Sequence, residues 1–243
     1  MANMRGMVFS LLCCSVLYRA AEPTSRRLFS GRARVHRFST SRDYYTLLRN
    51  NRRNELSASR QASQQNGCQL SRVSAICTVM PTRRNSIEGR IYLVQDVNSQ
   101  CLHNSWLTVK VELQGLDSSD GVLNHGLHIH QFGDLGNGCL AAGPHFNPFT
   151  KDHGDRNTYE RHIGDFGNVR EDNDGSITER FTLPVTSIVG ENSVIGRAVV
   201  LHAGEDDLGL VNNENSRTTG NSGSRLACCV IGRSNQVPND FED

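Results

Sequence analysis

The stretch LTVKVELQG, residues 107–115, indicates the fold class because its apolar and polar residues alternate strictly. An apolar side chain stands at every second position from Leu107 to Leu113, and the residues between them are polar or charged. Successive side chains of a β-strand point to opposite faces, so this pattern places one apolar face against a core and one polar face toward water. The stretch therefore predicts a half-buried β-strand.

Other runs of strand length follow the same rhythm along the chain. They are GRIYLVQ (89–95), SITERFTLP (176–184), GRAVVLH (196–202) and RLACCVIG (225–232). Clusters of turn residues such as LDSSDG and EDNDG lie between the strand runs, and no amphipathic helix of three turns is evident between residues 74 and 235. Short, regularly spaced strands joined by turns predict an antiparallel sandwich or barrel.

Two segments, 132–168 and 203–224, break this rhythm because they are long, polar, glycine-rich and poor in strand pattern. Loops of more than about 12–15 residues are uncommon within a compact domain, and they are usually functional or disordered. The first segment also carries His145, His153 and His162, which favours a functional loop.

Charge divides the chain into two parts. Residues 1–70 hold 12 Arg, no Lys and 3 acidic residues, which leaves 14 basic and 22 acidic residues for 71–243. The distribution predicts a targeting or disordered basic extension at 1–70, one folded domain at 71–235 and a C-terminal tail at 236–243.

The extension is compatible with several destinations. Its apolar run, MVFSLLCCSVLY at 7–18, is too short to span a bilayer but has the length of a signal-peptide core. The following RRLFSGRARVHRFSTSR is rich in Arg and Ser and poor in acid, as in a mitochondrial presequence. Secretion and mitochondrial import both remain open, and a cytoplasmic location follows if the extension is not a functional signal. A third interpretation is a disordered basic arm that binds polyanions.

Histidines gather in the folded part. Seven of the nine lie between His125 and His202, and His128 and His130 stand two apart in a strand run, so their side chains share a face. That pair alone fits either two polar residues facing water or a metal site. His145, His153, His162 and His202 extend the set, together with Asp165. Imidazole and carboxylate without cysteine suit zinc or copper.

Five strings carry a resemblance to a known family. HGLHIHQFGD, GCLAAGPHFNP, ERHIGDFGNV, VVLHAGEDDLG and GNSGSRLACCVIG, with the spacings between them, resemble the copper/zinc superoxide dismutases over residues 75–232. The resemblance implies an eight-stranded antiparallel Greek-key β-barrel or sandwich, immunoglobulin-like, with two long functional loops. It also implies that superoxide is disproportionated to dioxygen and hydrogen peroxide by one copper and one structural zinc per subunit.

The same resemblance assigns the site residues. It implies a copper site at His128, His130, His145 and His202, and a zinc site at His145, His153, His162 and Asp165. His145 would bridge the two metals and carry a catalytic proton, and Asp206 would link a copper histidine to a zinc histidine. Arg225 would stand beside the open copper position as a partner for the superoxide anion. His125 would bond backbone and no metal.

The cysteines divide by the same comparison. The resemblance implies a disulfide between Cys139 and Cys228. Cys229, next to Cys228 on a strand, should face the other way and leave Cys139 to its neighbour. Cys77 is expected to be a buried free thiol, and Cys68 and Cys101 have no assigned role.

The chain also departs from the family pattern. Gly204 and Thr218 occupy the positions of lysines that guide superoxide inward, and Asn215 replaces a glutamate, so weaker electrostatic guidance is expected. Arg233 stands where an apolar residue usually meets the second subunit, which opposes the homodimer that the family implies.

Partners and rival functions follow from these features. The expected partners are superoxide, a second subunit, a copper chaperone and a polyanion at the basic extension, with no specific nucleic acid. A metal-storing or copper-delivering module with the same fold, and an extracellular polyanion-binding protein, are the two rival functions.

Overall fold

A computed structural model describes residues 70–83, 85–98, 103–117, 119 and 121–241. The predicted N-terminal extension falls outside the described residues except for Leu70, and Cys68 and Cys101 also lie outside them. The described residues form one short helix, α1 (Glu214–Thr219), and ten strands. The strands are β1 (Ser71–Val79), β2 (Glu88–Asn98), β3 (His103–Asn104), β4 (Leu107–Gln114), β5 (Asn124–His130), β6 (Asp165–Arg170), β7 (Ile177–Leu183), β8 (Ala198–His202), β9 (Arg225–Val230) and β10 (Gly232–Ser234).

The strands build two antiparallel sheets, which confirms the predicted all-β class. The first sheet has the order β10–β1–β2–β4–β7, with β3 paired to β2, and the second has the order β6–β5–β8–β9. Because β4 pairs with β7 and β5 pairs with β8, the connections cross between the sheets as in a Greek key. Eight strands are long, as predicted, and β3 and β10 are additions of two and three residues.

The core lies between the two sheets. The alternation that predicted β4 is confirmed, because its apolar residues from Leu107 to Leu113 are all buried while the polar residues between them are partly exposed. Leu93 from the first sheet and Ile129 and Phe166 from the second belong to the same core and are fully buried. Burying each such side chain contributes about 1.5–3 kcal/mol, so this interface is the main source of stability.

Two long connections leave the second sheet, and both coincide with the predicted loops. The prediction of a loop through residue 168 is wrong at its end, because β6 begins at Asp165. Gly167 adopts a left-handed φ of 70°, and the pairing with β5 shifts register between Gly126 and His128, so a glycine and a bulge interrupt the alternation that would mark a strand. The second loop contains α1, which is capped by Asn213 at its start and by Gly220 at its end.

The C-terminal segment returns to the first sheet. β10 follows β9 after a single residue, Ile231, and pairs with β1. Beyond it, Val237 and Phe241 pack on the outer face of the first sheet against Tyr92 and Val94. The described part of the predicted tail therefore covers a sheet face. No helix among the described residues is long and apolar enough to cross a membrane.

Within the described residues, two disulfides connect distant parts of the sequence. One joins Cys139 to Cys228, with Cα atoms 5.9 Å apart, and ties the first long loop to β9. The other joins Cys77 on β1 to Cys229 on β9, with Cα atoms 5.4 Å apart, so the expectation of a free thiol at Cys77 is wrong. The two residues approach across the core from opposite sheets. Strand periodicity predicts which face a residue occupies, but it does not identify the residue opposite it.

Candidate metal centre

Six histidines and one aspartate converge at the end of the second sheet where the two long loops meet. β5 supplies His128 and His130, β8 ends on His202, and β6 begins at Asp165. The first long loop supplies the remaining three residues, His145, His153 and His162. All seven are at most 4 % exposed. Rigid strands thus fix four of the seven side chains, and the loop brings the other three to them.

The first donor group consists of His128, His130, His145 and His202, whose donor atoms all lie within 4.8 Å of one another. His130 Nε2 and His202 Nε2 are 3.3 Å apart. The other ring nitrogens, Nδ1 in both, contact backbone carbonyls at 2.7 Å and 3.2 Å respectively. A carbonyl oxygen only accepts hydrogen bonds, so each Nδ1 carries the proton and each Nε2 turns a lone pair toward the group.

The other two members present nitrogen atoms that have no hydrogen-bond partner. His128 Nδ1 and His145 Nε2 are both buried and unpaired within the described structure. A buried polar atom is normally satisfied, and an unsatisfied one requires an explanation. Four imidazole nitrogens facing one small volume, without a proton donor among them, fit a bound cation of the kind that imidazole prefers, copper or zinc.

The second donor group surrounds one carboxylate oxygen, Asp165 Oδ1. The Nδ1 atoms of His145, His153 and His162 lie 3.0, 2.9 and 3.1 Å from it. The His153 contact lacks hydrogen-bond geometry, and its Nδ1 is otherwise unpaired. A donor atom of His128 also lies within 4.8 Å of the donor atoms of His145, His153 and Asp165. We assign His162 to the group because Nε2 of His128 is engaged elsewhere, whereas Nδ1 of His162 faces Asp165.

Asp206 connects the two groups by contacting one histidine of each at the ring nitrogen that faces away from its group. Its Oδ2 atom is 2.9 Å from His128 Nε2, and its Oδ1 atom is 2.7 Å from His153 Nε2. Both imidazoles thus donate from Nε2, and both are left with Nδ1 facing their donor group. A Cβ atom at Gly220 would collide with Asp206 Oδ1 and with His153 Nε2, so only glycine fits at the end of α1.

Burial sets the protonation of the first group. It lowers the pKa of His130 to about 2 and that of His202 to about 4, and it also lowers the pKa of His145. These imidazoles are therefore neutral at pH 7, which is the form that binds a metal without first releasing a proton.

Carboxylates set the protonation of the second group. Burial lowers the pKa of His153, but its close contacts with the carboxylates of Asp165 and Asp206 outweigh burial and raise the pKa to about 10. Burial raises the pKa of Asp165, but the three histidines around it hold the pKa well below its usual range. In the metal-free protein at pH 7 Asp165 is thus ionised and His153 is protonated, so a divalent cation that binds here must displace a proton from His153.

Arg225 lies at the rim of the first group. Its Nη1 atom donates to the carbonyl of Cys139 at 2.6 Å, and its Nη2 atom donates to the carbonyl of Gly143 at 2.6 Å. The Gly143 carbonyl also accepts from His130 Nδ1. The guanidinium is half-buried, and its orientation depends on the loop that the Cys139–Cys228 disulfide fixes.

Sequence reasoning missed two charged residues near this centre. Arg217 on α1 lines a cavity of about 340 Å³ that it shares with His145, His162 and Lys151. The signal for it was its position next to Thr218, in the loop already identified as functional. Glu171, treated as part of a turn cluster, is buried against His125. No sequence signal marked it, because a carboxylate in EDNDG is expected to face water.

Comparison with known proteins agrees with this geometry. A family model described as copper/zinc superoxide dismutase matches residues 87–231. The chain is 54% identical over 129 residues to a superoxide dismutase [Cu-Zn] of Schizosaccharomyces pombe, covering 53% of this chain and 82% of the relative. It is 41% identical over 175 residues to an extracellular superoxide dismutase [Cu-Zn] of Drosophila melanogaster, covering 67% of this chain and 94% of the relative. The chain therefore belongs to the copper/zinc superoxide dismutase family.

Proposed function

We propose that this chain disproportionates superoxide, with copper held by His128, His130, His145 and His202 and zinc held by His145, His153, His162 and Asp165. The reaction converts two superoxide ions and two protons into dioxygen and hydrogen peroxide. The observation that supports two metal sites sharing one ligand is the single imidazole of His145. Its Nδ1 atom faces Asp165, while its Nε2 atom is unpaired and faces the first group. Copper, when bound, supplies the one-electron couple that takes an electron from one superoxide and gives it to the next.

His145 is the proton carrier of this proposal. Its Nε2 atom is buried and has no other hydrogen-bond partner in the described structure, so whenever it does not ligate copper it can hold a proton and release it to the departing peroxide. In the metal-free protein Asp165 accepts from Nδ1; with zinc present, that nitrogen would ligate zinc instead, and the zinc would keep the ring oriented. Peroxide needs two protons, and water supplies the second.

Arg225 binds and orients the substrate. Superoxide is a small anion, and a guanidinium fixed by two carbonyls offers it a positive partner that does not need to reorganise. Asp206 keeps His128 and His153 in the tautomer that their roles require.

Replacing His145 with Ala tests the proposal. We expect loss of dismutase activity and loss of magnetic coupling between copper and a cobalt ion substituted for zinc. Val185→Thr, at an exposed position after β7, serves as the matched control and should keep both. A His145→Ala protein with bound metals and full activity would remove the bridge from the mechanism.

A homodimer is the proposed assembly. Phe132 and Val230 are exposed by 51% and 39% and lie beside Gly133, where an added Cβ would collide with the carbonyl of Gly196. This apolar surface supports a contact between copies, and the exposed Arg233 opposes it. Sedimentation of the wild type and of Val230→Lys tests the contact. We expect the wild type to be a dimer and the Val230→Lys variant to be a monomer, and a monomeric wild type would contradict the proposal.

The extension at 1–70 is proposed to direct or anchor the domain at 71–235. Its 12 arginines support either a targeting segment, to a secreted or mitochondrial destination, or an arm that binds polyanions. A cytoplasmic location is the proposal if the extension is not a functional signal. Mass spectrometry of the mature N-terminus separates these destinations. Heparin retention that survives deletion of 1–70 would exclude the arm. A copper chaperone remains the proposed source of the metal, and a native copper-transfer assay tests it.

A further inference from the structure

A buried carboxylate lies directly after β6, outside the two donor groups. Glu171 is 1% exposed, and its Oε2 atom is 3.0 Å from His125 Nε2. Its Oε1 atom has no hydrogen-bond partner among the described residues. A carboxylate removed from water is strongly destabilising unless it is paired, so its retention here requires a reason that packing alone does not give.

The imidazole of His125 continues from Glu171 toward the centre. Its Nδ1 atom is 3.0 Å from the carbonyl oxygen of His202. His202 is the last residue of β8, and the pairing of β8 with β9 shifts register between Leu201 and His202. A side chain from β5 thus holds the backbone of His202 at the point where the ladder becomes irregular.

Proton counting shows what Glu171 contributes. The His202 carbonyl can only accept, so Nδ1 of His125 must carry a hydrogen. In a neutral imidazole Nε2 would then be an acceptor, and an ionised carboxylate opposite it would be a second acceptor. The 3.0 Å contact therefore contains one more proton, shared between Nε2 and Oε2, and either location of that proton leaves the pair neutral overall.

We propose that Glu171 is a positioning residue for the copper site. By holding the His125 ring at Nε2, it directs Nδ1–H at the carbonyl of His202 and, through the backbone, fixes the imidazole that this residue turns to the first donor group. Glu171 touches neither metal nor superoxide. The inference rests on the proposed function only in that His202 is a copper ligand.

Three variants of the copper- and zinc-loaded protein test this role. Glu171→Leu removes the hydrogen bond. Glu171→Gln keeps one, because an amide can donate to Nε2 or accept from it. Asp172→Asn removes a carboxylate from the next, exposed position and is the matched control. The measurements are the rate at which a chelator extracts copper and the hyperfine splitting of the Cu(II) resonance spectrum.

We expect Glu171→Leu to release copper about tenfold faster, at the low end of the effects of residues that orient metal ligands, and to change the hyperfine splitting. Glu171→Gln and Asp172→Asn should match the wild type. Wild-type copper release and spectrum in Glu171→Leu, or equal disturbance in Glu171→Gln, would overturn the proposal.

One measurement needs no variant. In the reduced, diamagnetic wild type, long-range proton–nitrogen correlations report which nitrogen atoms of His125 are protonated. A proton on Nδ1 is expected, and its absence overturns the inference even if Glu171→Leu does not fold. Failure of the proposed function is distinguishable, because the wild type would then show no copper bound through His202.

Discussion

The disulfide between Cys77 and Cys229 makes the most quantitative prediction about stability. It links β1 to β9 across the core, and both residues are buried. The perturbation is the pair Cys77→Val and Cys229→Ala, which opens the link while keeping most of the apolar volume. Replacing both residues leaves no free thiol beside the Cys139–Cys228 disulfide.

The expected magnitude follows from the length of chain that the bond closes. Taken alone, a loop spanning 152 residues would restrict the unfolded chain by about 5 kcal/mol at 25 °C. The Cys139–Cys228 bond already shortens this path, because the chain runs from Cys77 to Cys139, crosses that bond and reaches the neighbouring Cys229. The remaining loop is about 60 residues, so the expected loss in unfolding free energy is about 4 kcal/mol.

Guanidinium unfolding of the metal-free protein measures this loss, since bound metal would raise the apparent stability by mass action. In strong reductant both bonds open, and the difference between wild type and variant should shrink to a packing contribution of about 1 kcal/mol. A loss below about 1 kcal/mol under oxidising conditions would refute the loop argument. Free thiols at Cys77 and Cys229 in the wild type would refute its premise.

Three further predictions concern the centre. Metal-free protein should lose roughly 6 kcal/mol of unfolding free energy as pH falls from about 6.5 to 4, because unfolded His202 and His130 each take up a proton that burial excludes until their folded pKa values of about 4 and about 2, and each contributes about 3 kcal/mol. His153, with its pKa raised to about 10, contributes equally across that window, so chemical unfolding with no loss would contradict the assignment. Arg217→Ser should lower kcat/KM roughly twofold and flatten its dependence on salt, because two unit charges about 10 Å apart in water interact by only about 0.4 kcal/mol. An unchanged salt slope would show that Arg217 does not guide superoxide electrostatically. Gly220→Ala should push into the Asp206–His153 contact and weaken zinc retention about tenfold, measured by chelator competition, and unchanged retention would contradict the packing.

The fold was predictable because its signal is local. Alternation such as that of β4 depends only on which face of a strand meets the core. β6 escaped in part because a bulge and Gly167 break the period. Cys77 and Cys229 escaped because their meeting depends on how two sheets stack, which no local pattern encodes.

The site was predictable only in part from local sequence patterns. His128 and His130 follow from strand spacing, whereas the partners of His145, His153 and Asp165 required a resemblance, since a loop imposes no fixed period. Glu171 lay beyond both kinds of reasoning. Its burial depends on the path of the chain after β6, and an acidic residue in a turn normally faces water.

Two residues, His145 and Asp206, make the donor groups energetically dependent on each other. His145 gives one nitrogen to each group, and Asp206 gives one oxygen to a histidine of each. A cation among the histidines around Asp165 would orient His145 and, through His153 and Asp206, would also fix the tautomer of His128. Its binding therefore lowers the entropy cost of ordering these side chains when a second cation binds to the first group. Because such coupling is reciprocal, copper must strengthen zinc binding by the same factor as zinc strengthens copper binding. A titration that finds the two affinities independent would show that these shared residues are already fixed without metal.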